Sequence, residues 1–399
     1  MATYDCIIIG AGAAGLFFSA TCPMRFSSGK ALILEKTARP GTKLLMSGAG
    51  QCNITHGGSI KDFIPFYGKN GGKVRSCLYK YNNLSLCSFL EENGVSTVTR
   101  DDGKVFPKSM NARDILHLLL KKTEENGFTI RYRHPVAALS RSAEGIWKVT
   151  CESGQVFTTA RLIIATGGCS YPSTGSDGSL FDVLERDLSI SMVPPRPALT
   201  PLNVYAYPYG SLSGIGLENI HMELRRNNKK TAESTGDLLF THRNFSGPLV
   251  LNLSREISPG DEIIFNYLYP LGKNDVLEKL VRLTKGSRSE LQNLLSKELS
   301  LPKSFTQLLC SQSGSGLKEI ASRLTEDRFV VDSLDGFHKA MVTAGGVSLS
   351  EINAKTMEAK RFPGLYLIGE VMDIDGATGG YNLQFAYASA RAANQAIWG

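Results

Sequence analysis

The chain has 399 residues, enough for two or three domains with a sizeable core, and none of its apolar runs reaches the roughly 18 residues that a membrane span needs. Its net charge of +7 comes from scattered basic residues, which favours a solvated surface over a nucleic-acid patch. The eight cysteines form neither a C-x-x-C pair nor a zinc spacing, which argues against a disulfide scaffold or a metal site and predicts a cytoplasmic protein with reduced thiols.

The first predicted element is a strand that runs into a glycine-rich turn and then a helix, in the sequence Ile7-Ile8-Ile9-Gly10-Ala11-Gly12-Ala13-Ala14-Gly15. Gly10 permits the tight turn, Gly12 lets the backbone approach a pyrophosphate, and Gly15 lets the helix pack closely on the strand. The positive end of the helix, expected over residues 13–20, suits the phosphates. This pattern predicts a bound dinucleotide without identifying it.

The next apolar run, residues 31–34, is predicted to be the neighbouring parallel strand. Glu35 ends this run twenty residues after Gly15, where its carboxylate can accept hydrogen bonds from an adenosine ribose. Residues 39–53 then form a long polar connection rich in glycine. Because connections of this length in compact domains are usually functional, we expect residues 39–53 to contribute to the site.

The middle of the chain mixes helical and strand patterns. Helical spacing of apolar residues occurs over residues 84–92 and 112–125, and short strand-like runs follow over residues 129–133, 136–140, 146–151 and 155–158. A buried parallel strand is predicted over residues 161–165, where it stops at Thr166 and the pair Gly167-Gly168.

From about residue 193 the composition indicates a β-rich domain, and residues 274–326 indicate a small helical insert. The end of the chain repeats the pattern of its beginning, with a predicted strand that stops at Gly369-Glu370. The sequence Gly379-Gly380-Tyr381-Asn382 and a helix of small residues over 383–397 follow it. The two ends of the chain are therefore predicted to build one sheet.

A glycine fingerprint, a glycine-ended middle strand and a C-terminal Gly-Glu strand together are typical of FAD enzymes with the two-dinucleotide-binding-domain fold. In that fold the acid accepts hydrogen bonds from the ribityl hydroxyls, so Glu370 is its candidate, with Asp373 and Asp375 as competitors. A helix that begins near Asn382 would direct its positive end at the flavin pyrimidine, which favours negative charge there.

Longer motifs follow one another along most of the chain: residues 41–53, 165–172, 236–242 with 246–248, 342–347, 369–376 and 379–384. Together they resemble the BaiN-like flavoproteins, a family of NAD(P)/FAD-dependent oxidoreductases that includes aminoacetone oxidase-like members. Gln51 departs from the family pattern, which usually has arginine there, and so removes a fixed positive charge. Asn244 replaces a usual glycine, and Ala390-Arg391 stands where a Ser-Gly pair is common.

The resemblance implies an α/β fold whose FAD-binding, Rossmann-like domain of the two-dinucleotide-binding type carries an inserted β-rich domain and a small helical insert. We expect residues 1–190 and 346–399 to form the split FAD-binding domain. Residues 191–270 and 327–345 are expected to form the β-rich substrate domain, and residues 271–326 the helical insert. The substrate is expected to meet the flavin between the first two domains.

The glycine fingerprint and the resemblance together predict the FAD-binding positions. They are Gly10, Gly12, Ala13, Ala14, Gly15, Glu35, Lys36, Lys43, Gly50, Gln51, Cys52, Asn53, Val136, Thr166, Gly167, Gly168, Gly369, Glu370, Asp375, Gly380, Tyr381, Asn382 and Leu383. Thr343, Gly345 and Gly346 are expected to reach the substrate space along with Cys52, Asn53, Tyr171 and Tyr381.

The catalytic candidates are Tyr171, Cys52, His338 and Tyr381. Tyr171 could donate a proton and His338 could titrate near the site, although a buried tyrosine and a surface histidine are the plainer interpretations. Cys52 could equally face the flavin or fill space in its loop.

No second Gly-x-Gly-x-x-Gly follows a strand, so NAD(P)H is expected to bind transiently at the open flavin face. The leading hypothesis is reduction of an activated C=C bond in an enone-like, bile-acid or steroid-type small molecule by NAD(P)H through FAD. The rival is an oxidase of a small amine such as aminoacetone that produces hydrogen peroxide. A nucleic-acid-binding flavoprotein is suggested only by the net charge, and neither a nucleic acid nor a membrane is an expected partner.

Overall fold

A computed structural model describes residues 2–27, 29–283, 288–312 and 316–399. The chain divides into two compact units, one of Met1–Arg196 with Met341–Gly399 and one of Pro197–Ala340. Residues 284–287 and 313–315 of the expected helical insert lie outside the described residues. None of the described helices is both long enough and apolar enough to span a bilayer.

The centre of the first unit, called here the cofactor unit, is a five-stranded parallel sheet. Four of its strands are fully buried and mostly aliphatic, which is the environment of parallel strands, whereas the edge strand Phe128–Arg131 is only partly buried. Ile7 pairs with Leu162 on one side and with Leu32 on the other, and Leu162 pairs with Leu365. In sheet order the strands are Leu365–Leu367, Leu162–Ile164, Cys6–Ile9, Ala31–Leu34 and Phe128–Arg131. Both ends of the chain therefore build one sheet, as predicted.

The first helix, Ala13–Ala20, is almost wholly buried and packs against the helices Ala112–Glu125 and Tyr381–Trp398. Buried polar contacts fix this packing: Ser19 Oγ lies 2.7 Å from Thr123 Oγ1, and Asn394 Nδ2 donates to Phe18 O at 2.8 Å. The other helices of the unit are Thr42–Met46, Ile60–Phe63, Gly71–Lys80, Asn83–Glu92 and Ser179–Leu188, with 3₁₀ turns at Ser47–Gly50, Ile64–Asn70, Pro172–Thr174, Leu349–Glu351 and Gly369–Val371.

Smaller sheets complete the cofactor unit. A four-stranded sheet has the order Ala2–Tyr4, Val156–Thr159, Trp147–Cys151 and Val136–Arg141. A three-stranded sheet has the order Thr55–His56, Lys104–Pro107 and Thr97–Thr99, and Met192–Ala198 pairs with Val342–Val347.

The second unit, called here the barrel unit, is a closed β-barrel with its own hydrophobic core. Tyr209 and Tyr267 both donate hydrogen bonds to the buried Asp327 Oδ2 inside this unit, where burial raises the pKa of the carboxyl. The barrel strands, in order, are Leu202–Val204, Phe245–Ser246, Lys229–Phe240, Gly216–Arg226, Glu262–Asn266 and Asp327–Leu334. The helices are Pro248–Leu253, Lys273–Leu283, Arg288–Glu298, Lys303–Gln312 and Leu317–Thr325, with a 3₁₀ turn at Gly210–Leu212.

The clearest difference from the sequence prediction is between residues 39 and 80. The sequence suggested an irregular connection up to residue 53, whereas short helices and 3₁₀ turns occupy most of this stretch. Several of them are shorter than two turns, and a helical period of apolar residues cannot be recognised over so few residues. The units also divide after Arg196 and before Met341, whereas the sequence-based boundaries lie at residues 190 and 346.

Candidate active site

The glycine turn of the cofactor unit has the geometry that close backbone approach requires. Gly10 has φ +103°, and a Cβ there would lie 2.6 Å from Ala165 O. A Cβ on Gly15 would lie 2.1 Å from Gly10 O, so the helix can pack on the turn only with glycine at this position. A Cβ on Gly12 would have Ala165 O, at 4.0 Å, as its nearest neighbour. Gly12 is therefore not needed for packing within the chain, and the space beside it is open to a ligand.

Glu35 fixes this turn from the neighbouring strand. Its Oε2 accepts a hydrogen bond from Ala11 N at 2.8 Å, and its Oε1 accepts from Thr37 N at 2.8 Å and from Thr37 Oγ1 at 2.7 Å. Because a carboxylate can accept about four hydrogen bonds, one position on Oε2 stays open to a hydroxyl such as a ribose would offer.

The loop after the short helix Thr42–Met46 contains several residues in the left-handed conformation. Gly48, Ala49, Gly50 and Cys52 have φ between 54° and 86°. Such a run turns the chain back on itself, and Cys52 N donates to Ser47 O at 2.9 Å. The Cys52 side chain is fully buried, and this burial raises its pKa to about 11. The thiol is therefore protonated at neutral pH and belongs to the core of the unit.

An ion pair connects this region with the C-terminal Gly-Glu segment. Lys43 Nζ donates to Glu370 Oε2 at 2.7 Å and to Oε1 at 3.0 Å. Glu370 Oε1 also accepts from Thr343 N at 2.8 Å. Asp373, its competitor in the sequence, is instead buried and accepts hydrogen bonds from Gly345 N and Asn70 Nδ2. Glu370 is thus the acid that lies beside Lys43.

Thr343 lies buried on the strand Val342–Val347 and binds the loop that contains Gly167 and Gly168, called here the glycine-pair loop. Its Oγ1 accepts from Cys169 N at 2.7 Å and from Ser170 N at 3.1 Å, and it lies 3.0 Å from Ser170 Oγ. A Cβ on Gly168 would lie 2.4 Å from the same Oγ1. Only glycine at position 168 allows this close contact between the two segments.

The N-terminus of the helix Tyr381–Trp398 is preceded by Gly380 at φ +93°, where a Cβ would lie 2.5 Å from Thr55 O. In the amide orientation that satisfies both of its polar groups, Asn53 donates to Thr55 O at 2.9 Å and accepts from Gly380 N at 3.2 Å. Asn382 exchanges hydrogen bonds with both backbone groups of Gly376 at 2.7 and 2.8 Å. This helix has 18 residues and no side-chain cap at its N-terminus, so its positive end stays available to a ligand.

The catalytic candidates lie in different surroundings. Tyr171, Cys52 and Tyr381 belong to the cofactor unit and His338 to the barrel unit, where it is exposed. Tyr381 is 2% exposed, and burial raises its pKa to about 12. Tyr171 is partly exposed and has φ +55°. Their catalytic roles stay predictions.

The remaining predicted FAD positions also lie in the cofactor unit. Lys36 forms an ion pair with Asp177 and donates to Ser179 Oγ at 3.0 Å, and Val136 begins a strand of the four-stranded sheet. Ala165 separates Thr166 from the strand Leu162–Ile164, whereas the sequence predicted a strand that continues to residue 165. Ala13, Ala14 and Leu383 are first-turn residues of their helices, while Gly369 begins a 3₁₀ turn and Asp375 is buried.

Arg100 is a residue that sequence reasoning missed. Its Nη2 donates to Gln51 Oε1 at 2.6 Å, and its guanidinium lies 4.0 Å from the centre of the Phe106 ring. A positive charge therefore lies beside position 51 although residue 51 itself is uncharged. No local pattern could have revealed Arg100, because it is 49 residues away from Gln51 in the chain.

The donor set of the cofactor unit fits FAD. Gly12 leaves space for a pyrophosphate, Glu35 keeps an acceptor position for a ribose, and the positive end of Tyr381–Trp398 suits negative charge on the flavin pyrimidine.

A family profile described as the HI0933-like protein Rossmann domain matches residues 4–396. The chain is 30% identical to the ribosomal RNA dihydrouridine synthase of Escherichia coli, over 99% of this chain and 98% of that protein. It is 29% identical to the 3-dehydro-bile acid delta(4,6)-reductase of Clostridium scindens, over 98% of each chain.

Solved structures show the same fold at low sequence identity. The 3-ketosteroid-delta4-(5alpha)-dehydrogenase of Rhodococcus jostii RHA1 aligns with a TM-score of 0.51 and 14% identity, over 99% of this chain and 96% of that one. A flavocytochrome c3 fumarate reductase aligns with a TM-score of 0.51 and 14% identity, over 99% and 78%. The predicted fold class and the predicted family are both confirmed. The chain belongs to the HI0933-like family and is an FAD-dependent oxidoreductase of the BaiN-like kind.

Proposed function

We propose that this protein reduces a C=C bond conjugated to a carbonyl group, with NAD(P)H as the hydride donor and bound FAD as the carrier. The observation that carries the proposal is that two relatives of nearly full length are named for this chemistry. A dihydrouridine synthase saturates the C5=C6 bond of uracil, which is conjugated to the C4 carbonyl. A delta(4,6)-reductase of a 3-dehydro-bile acid saturates bonds conjugated to the C3 carbonyl.

We propose the uracil ring of an RNA as the substrate, in place of the small molecule that the resemblance to the BaiN-like family implied. Two relatives, at 30% identity over 97% or more of this chain, are named for ribosomal RNA, and the net charge of +7 suits a polyanionic substrate. The bile-acid relative, at 29% identity, makes a steroid enone the comparison substrate.

Bound FAD supplies hydride transfer at its N5 atom. The chain supplies positive electrostatics through the N-terminus of Tyr381–Trp398 in the cofactor unit. Hydride adds to the carbon of the C=C bond that is farther from the carbonyl group, and the carbon next to the carbonyl group then needs a proton. Tyr171 is the partly exposed candidate of the cofactor unit, whereas Cys52 and Tyr381 are buried, so we assign the proton to the Tyr171 hydroxyl.

The test is anaerobic mixing of the FAD-loaded protein with NADH or NADPH, followed by addition of uridine-containing ribosomal RNA or a 3-keto-Δ4-steroid. We expect the flavin absorbance to bleach with the nicotinamide and to return with the substrate, and mass spectrometry to find two added hydrogens per product. Bleaching by aminoacetone in place of NAD(P)H, with peroxide formed on admission of oxygen, would instead establish the amine oxidase.

A further inference from the structure

The segment that runs from the 3₁₀ turn Ile64–Asn70 through the helix Gly71–Lys80 is attached to the flavin-side elements of the cofactor unit by buried hydrogen bonds. Tyr67 Oη donates to Tyr381 O at 2.8 Å, Asn70 Nδ2 donates to Asp373 O at 2.7 Å, and Gln384 Nε2 donates to Tyr81 O at 2.8 Å. These contacts bind both ends of the segment to residues 373–384. Whatever the segment binds is therefore held at a fixed position relative to the predicted flavin helix.

Phe66 places an exposed aromatic ring on this segment. Its ring stacks on Tyr381, with centroids 4.5 Å apart and planes 16° from parallel, and Tyr381 in turn stacks on His56 at 5.6 Å. Tyr381 is 2% exposed, but Phe66 is 42% exposed. An ordered ring with an accessible surface is the arrangement on which single-stranded nucleic acids stack their bases.

The helix that follows Phe66 is basic. Between Asp62 and Glu91 the chain contains Lys69, Lys73, Arg75 and Lys80 and no acidic residue. Lys73 and Ser76 line an open groove of about 500 Å³ whose other wall is residues 352–355 and Lys360. Lys355 belongs to that wall, so three lysines line one groove.

The carboxylates near this groove bind other groups. Glu351 accepts hydrogen bonds from Arg361 Nε at 3.1 Å and Ser191 N at 3.3 Å, and Glu358 accepts from Gly364 N at 2.9 Å. Lys360 Nζ donates to Ser350 O at 2.7 Å. Because this carbonyl oxygen is uncharged, the ammonium group keeps its positive charge. Within the described ranges, no carboxylate lies at ion-pair distance from Lys73, Lys355 or Lys360. The groove thus keeps its positive charge for an external anion.

We propose that this surface binds the RNA substrate, with the lysines of the groove on backbone phosphates and Phe66 stacked on an unpaired base. The inference rests on the proposed function for the identity of the polyanion. Phosphate contacts position a nucleic acid without reading its sequence, and a stacked base is held away from the duplex, as chemistry on a base requires.

The phosphate contacts are tested with the FAD-loaded protein and a fluorescein-labelled, uridine-containing RNA, by fluorescence anisotropy over a range of salt concentrations. The variant Lys73→Gln/Lys355→Gln/Lys360→Gln should bind more weakly, and its plot of log K against log salt should be flatter by about 2 to 3, since each phosphate contact contributes about 0.7 to 0.9. The control Lys30→Gln/Lys148→Gln/Lys229→Gln removes three exposed charges elsewhere and should keep the wild-type slope. Equal slopes for the groove variant and the wild type would overturn the proposal.

The stacking contact has a different signature. Phe66→Leu should weaken RNA binding about tenfold while the salt slope stays unchanged, because the ring contributes stacking and no charge. Phe66→Tyr should restore the affinity. Flavin absorbance and the thermal unfolding midpoint show that each variant is folded. A Phe66→Leu protein with wild-type affinity would contradict the stacking role.

Failure of this surface and failure of the proposed reaction are distinguishable. If the wild type binds RNA with the expected slope but reduces no conjugated C=C bond, the proposed reaction is contradicted and the proposed RNA-binding surface is supported. If it reduces a steroid enone and shows no affinity for RNA, the proposed surface is contradicted and the proposed reaction is supported. A groove variant that only raises the KM for NADPH would instead identify the groove as a nicotinamide-phosphate site and overturn the RNA proposal.

Discussion

Lys43 and Glu370 form an ion pair in which Nζ lies 2.7 Å from Oε2 and 3.0 Å from Oε1, although 327 residues separate them in the chain. The pair connects the helix Thr42–Met46 to the C-terminal Gly-Glu turn, and both side chains keep some exposure, 27% and 19%. Two distant segments that the sequence marks as cofactor-binding thus meet through a direct contact.

Replacing either partner of this pair should loosen both segments. We expect Lys43→Gln and Glu370→Gln each to lower the free energy of unfolding, with a coupling energy of about 1 kcal/mol in a double-mutant cycle measured by urea denaturation. Lys122→Gln, which breaks the exposed pair with Glu125, serves as the control and should change stability by less than about 0.5 kcal/mol. Additive single variants would show that the pair contributes nothing.

Gly12→Ala should separate cofactor binding from folding. The added Cβ has no neighbour closer than Ala165 O at 4.0 Å, so the FAD-free protein should unfold near the wild-type temperature. The same methyl group would occupy the space predicted for the pyrophosphate, so FAD affinity should fall at least about tenfold, measured by the quenching of flavin fluorescence. Gly15→Ala, with a contact of 2.1 Å to Gly10 O, should fail to fold and marks the opposite case.

Thr343→Val should destabilise the glycine-pair loop. Valine keeps the shape of threonine but removes the Oγ1 acceptor, which leaves the buried N–H group of Ser170 and the part-buried N–H group of Cys169 without a partner. We expect a loss of about 2 to 3 kcal/mol in chemical denaturation. Thr343→Ser keeps the hydroxyl and should lose less than half of this amount. A Val variant as stable as the Ser variant would show that these bonds do not stabilise the loop.

Tyr171→Phe tests the proton donor. We expect kcat for C=C reduction to fall about 100-fold with little change in KM, while the rate of flavin bleaching by NAD(P)H stays at the wild-type value. The split between the two half-reactions distinguishes proton donation from a packing role. A variant that slows both half-reactions equally would assign Tyr171 to flavin binding.

Cys52 should make stability depend on alkaline pH. Burial raises its pKa from 9.0 to about 11 in the folded protein, so the folded state retains a proton that the unfolded state loses. The resulting stabilisation of the folded state is complete below pH 9.0. It is lost as the pH rises towards about 11, at about 1.4 kcal/mol per pH unit. In urea denaturation over this pH range, the free energy of unfolding should therefore fall steeply with pH for the wild type and less steeply for Cys52→Ala. Identical slopes would mean that the thiol ionises freely.

The sequence predicted the elements that are long or strictly patterned. The helices Ala13–Ala20 and Ala112–Glu125 were predicted with the bounds they have, and the helix Tyr381–Trp398 begins two residues before its predicted start. Its first turn lies beside Gly379 and Gly380, where the pattern of apolar residues cannot distinguish turn from helix. The β-rich insert was predicted as a class, but closure into a barrel depends on strand pairing between distant residues such as Leu202 and Leu334.

The candidate site could be predicted where a backbone requirement selects one residue type. Gly10, Gly15 and Gly168 are such positions, since any side chain there would collide with neighbouring atoms. The contacts of Arg100 with Gln51 and of Phe66 with Tyr381 could not be predicted, because each joins segments that are far apart in sequence and carry no motif.

The barrel unit begins and ends on paired strands, since Leu202 lies opposite Leu334. An insert whose two ends are neighbours can be exchanged, lengthened or removed in evolution without breaking the parallel sheet that both termini of the chain build. Changes in this insert therefore need not alter the glycine turn, Glu35 or the ion pair of Lys43 with Glu370, all of which belong to the cofactor unit.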